Sequence, residues 1–296
     1  MTWQAVARKD FQDAVRSKWL WALSALFVLV FSLPAILQFY LEMGSAPPQG
    51  EQGSSDAFIF LMKQGTSVLV PLIAIVLAYA SITQERESGS LKLLLSLPHS
   101  REDVVFGKVV GRAGVLTLPI VLGFVVAAVL ILATSLSFKL ANFVLFAVLT
   151  VVLGLVFVGL SVGISAAAST GRRAMMSATG AFFMFVILWN AFANQLVNLL
   201  DKYVGLADAT QLHAVLFLKL LNPTQAYKTL IDSFLLESAV QSRIMMFGFM
   251  RQQVAAQTLG ESLPVYLSNG FVVSYLLLWL LVSVGVGYWV FENADL

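Results

Sequence analysis

The stretch with the densest chemistry runs from Glu85 through Arg86, Glu87, Ser88, Gly89 and Ser90 into a leucine run, Leu91 to Leu97, that ends at Pro98. Proline stops the run because it has no N–H to continue a helical ladder. Ser100 and Asp103 then make an S-x-x-D start for the next helix. On that helix Arg101, Lys108 and Arg112 share one face, at i, i+7 and i+11. Two chemistries are open to this segment. The basic face can lie against lipid phosphates with its stems snorkelling, and the leucines can be buried by a second protein, since exposed leucines at a membrane surface call for a cover.

A second polar set is Asn190, Asn194 and Asn198, spaced four apart, with Gln195 and Trp189 beside them. Amides in apolar surroundings must find partners, so they read either as interhelical hydrogen bonds or as the wall of a translocation path. His213 with Met245, Met246 and Met250 has soft-ligand residue types, but these lie in apolar runs and read as packing, so no metal site is assigned. Gly107-Lys108 continues into Val109, and the upstream glycine of a phosphate loop is missing. No Asp pair, Ser–His pair or metal cluster falls inside an apolar stretch, so no catalytic residue is assigned. The chain has no cysteine, which excludes disulfides and thiolate chemistry.

The elements that must position these groups follow from composition. Of 296 residues, 59% are hydrophobic and 11% charged, against about 25% charged in an ordinary soluble protein. Such a chain cannot cover a soluble surface. A helix of roughly 20 apolar residues crosses a bilayer core. Six stretches qualify: Trp19–Leu41, Gln64–Gln84, Ala113–Phe138, Leu140–Gly171, Ala174–Leu200 and about Val265–Phe291. The expected fold is therefore all-α, a single polytopic membrane domain over 1–296 with six transmembrane helices.

Residues 1–18 predict an interfacial helix, with Trp3, Val6, Ala7, Phe11, Ala14 and Val15 opposite Arg8, Lys9, Gln12 and Arg16. Asp10 interrupts its apolar arc and is a candidate contact for a partner. Residues 201–264 predict an external region of short helices lying at the membrane surface, one of them opened by Asn222-Pro223. Gly159, Gly163, Ala167 and Gly171, four apart, predict a small-residue packing seam in the fourth span. Lys and Arg gather in the N-terminal segment and in the loops after spans two and four, whereas the short loops opposite hold Lys63 and Lys139. That asymmetry places both termini and the 85–108 loop in the cytoplasm of a multi-pass cell-membrane protein. No signal peptide is expected, and a net charge of +2 gives no case for nucleic acid.

The pattern Glu85-x-Glu87-x-Gly89-Ser90-Leu91, followed by Leu94-Leu95-x-x-Pro98 and the Gly107-Lys108 pair, resembles the loop after the second span in ABC-2 type transporter permeases. Ala7-Arg8-Lys9-Asp10-Phe11 is similar to the opening of that family, and Leu221 to Tyr227 to a stretch before its last span. Within the family, the subtype of the nitrous-oxide-reductase maturation permeases looks most similar. The resemblance implies a pore subunit that is not itself an enzyme and moves a substrate, outward, when ATP is hydrolysed on a separate subunit. ATP and Mg would be bound by that ATPase subunit and no cofactor by this chain. The permease would pair with itself or with a related permease. Asp10, Glu85, Arg86, Glu87, Leu91, Leu94, Leu95 and Pro98 would form the ATPase contact. Two alternatives stay open: a secondary transporter, which would need charge at mid-membrane, and a non-transporting permease that passes ATPase motion on.

Overall fold

A backbone inside hydrocarbon must satisfy its own hydrogen bonds, and an apolar segment standing alone does so only as a helix. The computed structural model describes residues 3–16, 18–44, 55–91, 100–133, 139–205, 207–248, 252–259 and 263–293, and among these the regular elements are helices with no strand. Helix α1 (Trp3–Val15) leads into α2 (Lys18–Gly44), followed by α3 (Ser55–Ala78) and the single turn α4 (Thr83–Glu87). Next come α5 (Arg101–Leu132) and α6 (Leu140–Ala167). A long stretch then runs through α7 (Gly171–Phe182), a π-helical segment (Phe183–Leu188) and α8 (Trp189–Val204). Four shorter helices follow: α9 (Asp208–Leu220), α10 (Pro223–Leu235), α11 (Ala239–Met245) and α12 (Gln252–Leu259). Helix α13 (Asn269–Glu292) is the last.

Among the described residues, five stretches are long and apolar enough to cross a membrane. They number six when Trp3–Val15 and Leu20–Pro34, bent by 74° against each other, count as one broken span. Ser100 caps α5 as expected: its hydroxyl accepts from the Asp103 N–H while the Asp103 carboxylate accepts from the Ser100 N–H.

Helix α6 is the centre of the bundle, in contact with α3, α5, α10 and α13. Phenylalanines fill the layer between α2, α5 and α6, with ring centroids 4.5 Å apart for Phe31–Phe124 and 5.1 Å for Phe124–Phe146. Gly163 and Gly159 let α13 close on α6. A Cβ on Gly163 would collide with the Ser283 carbonyl, and one on Gly159 would stand 2.7 Å from Leu280. The predicted seam is thus cut short. Helix α6 ends at Ala167, which is exposed, and Gly171 opens α7 instead of continuing α6. The reason is local: Ala168 is extended, and the Thr170 side chain accepts from the Arg173 N–H to cap a new helix.

Two further expectations are corrected. Lys63, read as a loop residue, lies inside α3 and is buried. The helices expected to lie on a surface do not merely do so: α10 is wedged between α3, α6 and α13 with Ala226, Tyr227 and Leu230 wholly buried.

Candidate functional site

Where α3 gives way to α4, four charges from three elements interlock. Lys108 Nζ lies 3.0 Å from Asp10 Oδ1 and 2.7 Å from Glu85 Oε1. Arg112 Nε lies 2.8 Å from Asp10 Oδ2. The order Arg112, Asp10, Lys108, Glu85 alternates in sign, so both inner charges have an opposite charge on either side. Asp10 and Lys108 are buried, a placement that charges tolerate only when paired and hydrogen-bonded. Glycines make the close approach achievable. A Cβ on Gly107 would stand 2.7 Å from Val6 Cβ, and one on Gly111 2.9 Å from Asp10 Cβ. Gly114 meets Phe11 in the same way, so α1 lies in a groove of α5 that any side chain would fill. The Trp3 N–H donates to Asp103 Oδ1 at 3.0 Å, pinning the free start of α1.

Arg86 and Glu87 serve helix ends. Arg86 donates to the Ala168 carbonyl at 2.8 Å and the Ala166 carbonyl at 3.4 Å, at the C-terminal end of α6. Glu87 accepts from the Gly171 N–H at 2.8 Å, at the start of α7. A cation at a helix C-terminus and an anion at an N-terminus both suit the helix dipole. Arg101 does for α13 what Arg86 does for α6, donating to the Phe291 and Glu292 carbonyls at 2.7 and 2.6 Å.

The fold therefore brings Asp10, Glu85, Arg86 and Glu87 into one polar layer, where each has a partner within the chain. Arg101, Lys108 and Arg112 are likewise engaged internally, which replaces the expectation of a basic face against lipid phosphates. Leu91 is also corrected: it is 1% exposed and belongs to the core. Leu94, Leu95 and Pro98 lie outside the described residues. The exposed edge of this layer is Glu87, Ser88 and Ser90, beside an open cleft lined by Tyr79, Gln84, Glu87, Gly171, Arg172 and Met175.

The opposite end of the bundle holds groups whose partners the sequence reading did not foresee. The Tyr227 hydroxyl, fully buried, bridges Thr66 Oγ1 at 2.6 Å and Thr150 Oγ1 at 2.9 Å, joining α10 to α3 and α6; burial pushes its ionisation well above the ordinary range. Lys63 and Asp232 form an ion pair between α3 and α10. Among the described residues, the wholly buried Arg243 is bound by neutral acceptors: the Leu267 and Thr229 carbonyls, Thr229 Oγ1, Ser242 Oγ and Asn269 Oδ1. Burial lowers it to about 10, which leaves it charged at neutral pH. A single arginine ahead of the apolar run from Ile244 to Met250 was the signal available for it. Asn222 caps α10 and also donates from Nδ2 to the Phe185 carbonyl at 2.6 Å. The indoles of Trp189 and Trp279 donate to the Leu218 and Leu221 carbonyls at the end of α9, at 2.7 and 2.5 Å.

The asparagine set lies on α8. Asn190, Gln195 and Asn198 are exposed and Asn194 half-buried. Among the described residues their side chains make no hydrogen bond within the chain, so intrachain bonding does not explain them. Their face flanks the strip of Ala193 and Val197, the only residues of α8 that are buried.

Comparison with known proteins bears on the whole architecture. The family model described as ABC-2 family transporter protein matches residues 4–296. The chain is 32% identical over 229 residues to the probable ABC transporter permease protein NosY of Pseudomonas aeruginosa, covering 75% of this chain and 78% of that one. It is 30% identical over 294 residues to the protein of the same name from Stutzerimonas stutzeri, covering 97% of each. A match that runs from α1 through every span and the helices between the last two is a match to the fold as a whole, and the chain belongs to the ABC-2 family of transporter proteins as a membrane subunit.

Proposed function

We propose that this chain is the permease of an ATP-driven exporter of the cell membrane, working as a pair of copies with a separately encoded ATPase docked at the 85–108 loop. The observation that carries the reading is the charge network. It ties α1, α4 and α5 into one block at the base of that loop, so a push on the loop reaches α3 and α5 without first bending a joint. Arg86 and Glu87 extend the block to the end of α6 and the start of α7. Both termini and this layer face the cytoplasm, where ATP is. Asn190, Asn194, Gln195 and Asn198 are the path-lining groups. Amides exposed on a membrane helix are costly against lipid, and a water-filled path between two copies gives them partners. The two relatives are both named as probable ABC transporter permeases, which supports this reading.

The test is co-purification of the tagged permease with an ATP-binding-cassette ATPase from the same cells. Glu87→Lys reverses the charge at the exposed edge of the block, and like charges across an interface oppose docking. Leu94→Asp probes the leucine run. Both variants are expected to insert normally and to recruit the ATPase about tenfold less well, roughly 1.4 kcal/mol, with stimulated hydrolysis in vesicles lowered in step. Arg173→Ala, in the first turn of α7, is the control. Normal pull-down and normal hydrolysis with both loop variants would place the ATPase elsewhere.

A further inference from the structure

Span five changes its winding between Phe183 and Leu188, six residues of π-helix inside a stretch that is α-helical on both sides. Such turns are rare and collect at functional sites. Left to itself, the segment would close as α-helix, with the Phe185 carbonyl accepting from the N–H four residues on. The contact that opposes this is the Asn222 amide. Its Nδ2 donates to the Phe185 carbonyl at 2.6 Å, while its Oδ1 accepts from the Thr224 and Gln225 N–H groups at 2.7 and 3.3 Å. Asn222 is fully buried, and α10, which it caps, is bolted to α3 and α6 through Tyr227 and Asp232. The anchor is therefore fixed, whereas α8 beyond the turn buries only Ala193 and Val197 and rests on α9, to which the Trp189 indole also ties it.

We propose that Asn222 is a positioning residue for transport: its amide donor holds span five in the π register and thereby sets the direction in which Asn190, Asn194 and Asn198 face. Closing the turn to α winding advances α8 by one residue, about 100° at 3.6 residues per turn. That rotation carries the amide face away from its present side, so the turn is a two-position device for presenting or withdrawing polar groups. The inference rests on the reading of that face as path lining.

Two changes separate this role from simple capping. Asn222→Ser keeps a cap acceptor but loses the donor arm that reaches Phe185. Deleting Met184 removes the extra residue of the wide turn, so the segment can close as α-helix with α7 and α8 keeping their faces. The chain has no native cysteine, so single cysteines at 189–200 in the full-length protein in lipid vesicles can be reacted with a water-soluble maleimide. In the unmutated background the reactivity maxima are expected at 190, 194 and 198. With Asn222→Ser the maxima shift by one position along the helix. With Asn222→Ser and the deletion together they return. An Asn222→Ser chain that inserts and keeps the original phase overturns the proposal. Where Asn222→Ser alone does not insert, recovery of insertion and phase in the combined variant supports the proposal, and continued failure overturns it, leaving Asn222 a cap. Should the unmutated maxima fall off the asparagine face, the path reading fails, while the shift produced by Asn222→Ser still decides the role of the turn.

Discussion

Lys108 is the residue on which the charged layer depends. It touches two carboxylates, and its side chain is 7% exposed. Replacing it with alanine leaves Glu85 unpaired and Asp10 with Arg112 alone. Removing one partner of a buried ion pair costs about 3–5 kcal/mol, so Lys108→Ala is expected to lower thermal stability in detergent markedly. Arg112 is 25% exposed, and Asp10 keeps Lys108 without it; Arg112→Ala is expected to cost about 1 kcal/mol or less. Equal melting of the two variants would mean that the network is solvated in the membrane-bound protein. Asp10 shows what the sequence could and could not say at this scale. A carboxylate interrupting an apolar arc announces a polar contact, but its partners stand 98 and 102 residues further on, and nothing local selects them over an outside protein.

At the scale of elements, close helix contacts in a membrane rest on small residues, and spacing alone identifies only some of them. Gly159 and Gly163 were recognisable by their four-residue interval and do face α13. Gly107, Gly111 and Gly114 form the seat of α1, yet their interval also suits an ordinary packing face against any neighbour. Gly163→Ala places a methyl against the backbone of Ser283, which cannot step aside. Overpacking of this kind costs typically 1–3 kcal/mol, and thermal melting of Gly163→Ala is expected to show it. Gly171→Ala meets only the Glu87 carboxylate, at 3.2 Å. That side chain can move, and the helix propensity of alanine offsets part of the loss, so the variant should melt within a few degrees of the unmutated chain. The reverse order of stabilities would contradict the α6–α13 contact described above.

At the scale of the whole molecule, exposure separates the spans. The most apolar window of Gly171–Val204 is 11% buried and that of Asn269–Glu292 17%, against 56% for Leu140–Ala167. The first two therefore turn most of their surface away from the rest of the chain, whereas α6 and the Ile59–Glu87 span, also 56% buried, turn least. Orientation across the membrane is testable on the same cysteine-free background. A cysteine at Ser88, which is exposed beside the charged layer, is expected to resist an impermeant thiol reagent in intact cells and to react after permeabilisation. Reaction in intact cells would invert the arrangement and remove the ATPase from this end.

Class and the positions of the apolar stretches were determined by sequence alone, because hydrophobic length and charge content are properties of a segment and need no partner. The capping of α5 by Ser100 and Asp103 and of α10 by Asn222 was also local, since a cap and the N–H groups it satisfies lie within three residues. Tertiary structure decided where the polar groups point. Tyr227 meets hydroxyls 161 and 77 residues away, Arg243 gathers acceptors from three elements, and Leu91 turns inward. Such pairings arise only when distant helices pack, because in an apolar medium a polar side chain takes whichever partner the packing brings within reach.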